Sequence, residues 1–79
     1  MARDWLPEFR RVTERLAAGG FTAERAALVE AVEASSTGTE IALRLRYHLR
    51  QLAVDERMSI ALREMASALA EHLDATIAE

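Results

Sequence analysis

The stretch Ser35-Ser36-Thr37-Gly38-Thr39-Glu40, followed at once by Ile41-Ala42-Leu43-Arg44-Leu45-Arg46-Tyr47-His48-Leu49-Arg50, decides the fold. Its first half clusters small polar residues with a glycine, which interrupts any helix that reaches it. Thr37 and Glu40 have the spacing of a capping box: the threonine hydroxyl takes the amide of the third helical residue, and the glutamate returns to the threonine amide. Thr39 is a competing cap. Beyond it, Ile41, Leu45, Leu49 and Leu52 recur along one face of a helix. Leu43, Tyr47 and Val54 form a second stripe roughly 160–200° away at about 100° per residue. A helix with two opposite apolar faces is either sandwiched inside its own domain or shared with a partner.

Upstream of the break the pattern predicts a helical hairpin. The first helix is expected from about Asp4, as its cap, to Ala18, with Pro7 tolerated in the first turn. Trp5, Phe9, Val12 and Leu16 share one of its faces, and Gly19-Gly20 ends it. Thr22 is the expected cap of a second helix reaching about Ala34, with Phe21 before it placed to staple onto Ala26. Leu28, Val29 and Val32 are its bulky side. Ala23, Ala27 and Ala34 form a small-residue side open to close approach. So short a link between the two helices makes them antiparallel neighbours.

Downstream, Asp55 is the expected cap of a fourth helix that extends to about Ala78. Met58, Leu62, Met65, Leu69 and either His72 or Leu73 step close to a heptad seam. Neither glycine nor proline follows Gly38, so one long kinked helix in place of the third and fourth also fits. The fold class predicted is all-α: a small three- to four-helix bundle built from helical hairpins, with residues 1–79 as a single domain.

Composition narrows the function. At 79 residues the chain has a small core, and without cysteine it has neither disulfides nor the usual cysteine-rich zinc sites to staple it. Regular helix packing and oligomerisation are what remain. Hydrophobic residues make up 51% of the chain, enough for a folded core. Thirteen acids oppose ten bases for a net charge of −3, and every base is arginine, which reads mainly as a coding bias. No run approaches the ~20 apolar residues of a membrane span, and the N-terminal residues open no apolar run of signal-peptide length. A cytoplasmic protein is expected.

Catalytic and metal chemistry finds little support. His48 and His72 have no carboxylate three residues before them, so the Glu-x-x-His pattern of metal-carboxylate bundles is missing. Both read as core-edge histidines. The serines lack a nucleophile signature, and no lysine exists to complete a phosphate loop. The expectation is a non-enzymatic protein with no cofactor and no metal.

Arginine is the informative residue. Arg44, Arg46 and Arg50 lie between Ile41 and Arg50 with no acid, whereas Glu71, Asp74 and Glu79 close the chain with no base. Helix–turn–helix order over residues 22–50 raises a DNA-binding alternative, with the helix at 38–53 in the recognition position. The net acidity argues against nucleic acid, as do arginines pointing to different sides and Leu43 and Tyr47 on the face that would read a groove. Complementary surfaces in an assembly explain the pattern better, because arginine stems cover apolar surface while their heads pair with carboxylates. Leu43 and Tyr47, with Arg46 and Arg50 at the rim, are the expected interface of a homodimer or of a contact with a protein partner.

The run Ser36-Thr37-Gly38-Thr39-Glu40-Ile41-Ala42-Leu43-Arg44-Leu45-Arg46-Tyr47-His48-Leu49 resembles a segment of short helical proteins of GC-rich bacteria that have no known activity. In them a small acidic helical hairpin precedes a Ser/Ala-Thr-Gly-Thr-Glu-Ile segment and an arginine-containing helix. The resemblance implies a bacterial origin and a stand-alone small helical protein. It assigns no functional residue.

Overall fold

The computed structural model describes residues 4–78, and every regular element among them is a helix: α1 (Leu6–Ala18), α2 (Thr22–Glu33), α3 (Gly38–Ala53) and α4 (Ile60–Ala78). Each helix packs on its neighbours in sequence, and α1 closes the ring against α4, while the backbones of the diagonal pairs stay apart. The α3–α4 contact is the most extensive. Glu8 lies beside His72 and Arg11 beside Met65, so α1 and α4 run antiparallel. Ala27 faces His48 while Glu24 faces Asp55, which makes α2 and α3 antiparallel too. The radius of gyration is 11.6 Å, matching the about 11.6 Å expected of a compact domain of this length.

The α1–α2 link is a Schellman turn. Phe21 N–H donates to the Leu16 carbonyl at 2.9 Å and Gly20 N–H to Ala17 at 3.2 Å. Gly20 has φ +81°, a left-handed backbone that a side chain would strain. Gly19 lets the Phe21 ring close over it, since a Cβ there would meet that ring at 3.0 Å. Phe21 itself, not Thr22, is therefore the last residue outside α2, and the Thr22 hydroxyl caps nothing. Asp4 does not cap α1 either. Trp5 holds the boundary position in a helical conformation, and the Asp4 carboxylate turns to His72 at 3.2 Å.

Thr37 behaves as its sequence predicts: extended (φ −130°, ψ 159°), with its hydroxyl accepting from Glu40 N–H at 3.1 Å. Only half of the capping box forms, because the Glu40 carboxylate pairs with Arg44 one turn on, at 2.9 Å. The third and fourth helices are separate. Asp55 spends its carboxylate on the amide and guanidinium of Arg57 in the intervening loop, and Ser59 caps α4 instead, accepting from Leu62 N–H at 3.1 Å. Arg57 reaches on to Glu24 of α2 at 2.9 Å and sits 5.7 Å from the centre of the Phe21 ring. One arginine thus ties the α3–α4 loop to the start of α2. Its hydrogen bonds hold the Glu24 and Asp55 carboxyls below their ordinary range, and the same bonds raise its own pKa.

The core is continuous. Trp5, Phe9, Val12 and Leu16 of the N-terminal segment meet Leu28 and Ala31, the Ile41–Leu45–Leu49–Leu52 stripe, and Met58, Leu62, Leu69 and Leu73. Ala42, Ala66 and Ala70 are also buried, small enough to bring α3 and α4 close together. Trp5 and Phe9 pack edge to face with centroids 5.9 Å apart.

His72 seals the α1–α4 contact. Its Nδ1 lies 2.8 Å from Glu8 and its Nε2 3.2 Å from Asp4. The Glu8 hydrogen bond, helped by Asp4 and opposed by partial burial, raises the imidazole pKa above its ordinary 6.5. A raised folded-state pKa stabilises the fold below the unfolded value, and that contribution is lost as pH rises through the folded value. Thermal unfolding should therefore show Tm falling as pH rises from about 6.5 into the weakly alkaline range. His72→Gln should flatten this slope; an unchanged slope would remove the assignment.

Candidate functional site

At about 100° per residue, a helix that turns Ile41, Leu45, Leu49 and Leu52 inward must turn Leu43, Tyr47, Arg50 and Val54 outward. The structure has this arrangement. Leu45 and Leu49 are fully buried, whereas Leu43, Tyr47 and Val54 are 43%, 63% and 76% exposed. Ile60, the first residue of α4, is 66% exposed and shares a groove with Val54. These four are the large hydrophobic side chains left exposed among the described residues. Loose packing is not the cause: the accessible surface is 4806 Å², and folded monomers of this mass scale to about 4,800 Å². The second stripe of α3 does not pack against α1 or α2.

Arg46 and Arg50 lie together, as their spacing implies, and both bind one carboxylate. Arg46 Nη1 donates to Asp74 Oδ1 at 2.8 Å, and Arg50 Nη2 donates to Asp74 Oδ2. The Arg46 hydrogen bond and the Arg50 charge hold Asp74 below the usual carboxylate range. Exposed pairs of this kind add little to stability. Their effect is on charge: one carboxylate offsets one of the two arginine charges beside Leu43 and Tyr47. The excess of bases in α3 and of acids near the chain end is thus partly matched within the molecule. Arg44 is spent separately on Glu40.

Sequence reasoning missed Ile60 and Arg63. Ile60 lies outside the Met58–Leu62 seam, which is itself the signal that it faces away from the core. Arg63 is half-buried in the α3–α4 groove, and its Nε is buried without a hydrogen-bond partner.

Elsewhere the surface offers little chemistry. His48 packs edge to face on Tyr47, centroids 5.3 Å apart, and lines a cleft between α2 and α3 with Ala27, Leu28 and Gln51. At about 320 Å³ that cleft is at the lower limit of ligand sites, and Arg57 with its two carboxylates stands at one end. Among the described residues no group of three or more histidine, aspartate or glutamate side chains is arranged to hold a metal ion. No described helix is long and apolar enough to cross a membrane.

No protein-family model, no curated protein and no solved structure matches the chain.

The two faces of α3 should separate energetically. Leu45→Ala should cost about 2–5 kcal/mol in urea unfolding, the penalty for emptying a filled core site. Leu43→Ala, measured at low protein concentration, should change stability by less than about 0.5 kcal/mol. Equal losses would mean that both stripes are buried.

Proposed function

We propose that this chain is a non-enzymatic bacterial protein–protein interaction module that acts as a self-associating helical bundle, through the outer face of α3. Leu43 and Tyr47 form the contact, and Arg46 and Arg50 stand at its edge. One observation carries the reading: the exposed large apolar side chains gather on one side of one helical hairpin while the core behind them is fully closed. Large apolar side chains left exposed along one helix face mark candidate interaction sites on folded domains. Tyrosine and arginine beside it are the residue types enriched at interface centres.

Stability points the same way. A domain of this size buries a limited fraction of its surface, and association is one of the few staples open to a cysteine-free chain. The proposed location is the bacterial cytoplasm, in keeping with that cysteine-free composition. The alternative, a DNA-binding α3, needs Arg46 and Arg50 free to meet phosphates. Both guanidiniums instead engage Asp74, so neither meets a phosphate without giving up that carboxylate.

Sedimentation and light scattering at micromolar concentration test the proposal. The expected species is a dimer of the 8.8 kDa chain, dispersed by Tyr47→Glu with helicity unchanged. A monomer at all concentrations removes self-association, and a dimer indifferent to Tyr47→Glu removes the assigned face. Duplex DNA at low salt should leave mobility unshifted. A salt-dependent shift abolished by Arg46→Ala with Arg50→Ala would instead establish the DNA reading.

A further inference from the structure

The seam between α1 and α4 changes character along its length. At one end His72 holds Asp4 and Glu8, so the acids beside α4 there are engaged. Further along α1 the seam is flanked by Arg11 and Arg15, and α4 answers with Met65 and Ala68, neither of which carries charge. Two adjoining hollows result, of about 360 and 180 Å³, which share Arg11 and Met65. Together they form a groove that runs from Glu8 to Ala18. Met65 is half-buried in it and packs against the core.

Arg44, Arg46, Arg50 and Arg57 each have a carboxylate partner. Arg10, Arg11 and Arg15 are exposed on α1 and make no ion pair among the described residues. Glu14 is the one acid of α1 left beside them, since Glu8 turns to His72. Three bases against one acid make this face cationic on a chain whose net charge is −3. Arg11 and Arg15 stand one turn apart, about 6 Å along the axis at about 1.5 Å per residue. That spacing matches carboxylates one turn apart on a helix, or two residues apart on a strand that rises about 3.3 Å per residue.

We propose that this groove is a second docking site, whose occupant is a short acidic segment of another protein carrying one apolar side chain. The apolar side chain enters the hollow between Met65 and Ala18, where the flexible thioether adapts to its shape. Carboxylates beside it meet Arg11 and Arg15, whose guanidiniums displace no internal acid to receive them. A nucleic-acid backbone fits less well. It has no apolar group to set against Met65, and Glu14 in the groove wall repels its phosphates. Because α1 and α3 stand diagonally in the ring, a segment held here leaves Tyr47 uncovered.

The probe is a fluorescently labelled eight-residue peptide of aspartate and glutamate with one central leucine. Titrated with the full chain at low salt, its anisotropy should rise to saturation. Arg11→Glu and Arg15→Glu should each weaken binding at least about fivefold, the scale of one exposed arginine–carboxylate pair. Serine in place of the peptide's leucine should weaken it about tenfold, through lost apolar burial. Arg10 lines neither hollow, so Arg10→Glu makes the same charge change outside the groove and should cost less than about twofold. Tyr47→Glu should leave binding unchanged. Circular dichroism checks the fold of each variant, and the neutral Arg11→Gln must weaken binding in the same direction if a reversal unfolds the chain. Equal losses from Arg10→Glu and Arg11→Glu would mean attraction by overall charge and overturn the site. Indifference to the serine peptide overturns the apolar anchor, and equal binding of single-stranded DNA of the same charge overturns an acidic protein segment as occupant. Loss of binding in Tyr47→Glu would move the peptide to the outer face of α3 and overturn the groove, leaving self-association to the sedimentation result. Absence of saturable binding overturns the proposal outright.

Discussion

A helix on the rim of a four-membered ring has neighbours on roughly half its circumference, and α3 carries apolar residues on both halves. The heavier stripe, Ile41, Leu45, Leu49 and Leu52, goes inward against the rest of the core. Fully burying each of its leucines contributes about 1.5–3 kcal/mol, more than any surface pair in the molecule supplies. Leu43, Tyr47 and Val54 are then left outside by geometry alone. The positions of the other helices follow from this choice: α2 and α4 flank the inward stripe, and α1 closes the ring opposite.

Asp74 shapes the surface that results. By drawing in Arg46 and Arg50, it offsets part of the charge of an arginine-rich helix. It also holds the two guanidiniums at the edge of the apolar face, where their stems extend that face and their heads stay wet. Arg57, just beyond the end of α3, ties the loop beside Val54 to α2. The C-terminal half of α3 is thus paired to α4 through Asp74, and the loop beyond it to α2 through Arg57.

Much of this fold is legible in the sequence. The periodic leucines specify the buried face of α3, Gly19-Gly20 specify the turn, and Thr37 specifies the start of α3. The expected caps at Asp4, Thr22 and Asp55 fail for a common reason. Cap preference is local, and each of these positions is claimed by something stronger: His72 for Asp4, the Schellman geometry around Phe21 for Thr22, and Arg57 for Asp55. The buried alanines Ala31, Ala66 and Ala70 escape notice because alanine sits equally well on either side of a helix. For the candidate site, the surplus apolar stripe and the Arg46–Arg50 pairing are visible in the spacing. That one aspartate far along the chain receives both arginines is not, since only the packing of α4 on α3 brings it there. Ile60 and Arg63 belong to the exposed face through the α3–α4 groove, which no pattern within a single helix encodes.

The ring has a kinetic asymmetry built into it. Three of its four helix contacts join neighbours in sequence across short links, which close quickly and cheaply. The fourth, α1 on α4, brings Glu8 to His72 across nearly the whole chain. That seam is the natural last step of assembly and the first place for the bundle to open. The α3–α4 hairpin, with the most extensive contact, meets α1 at that seam through α4, so the face bearing Tyr47 on α3 lies off the last contact to close.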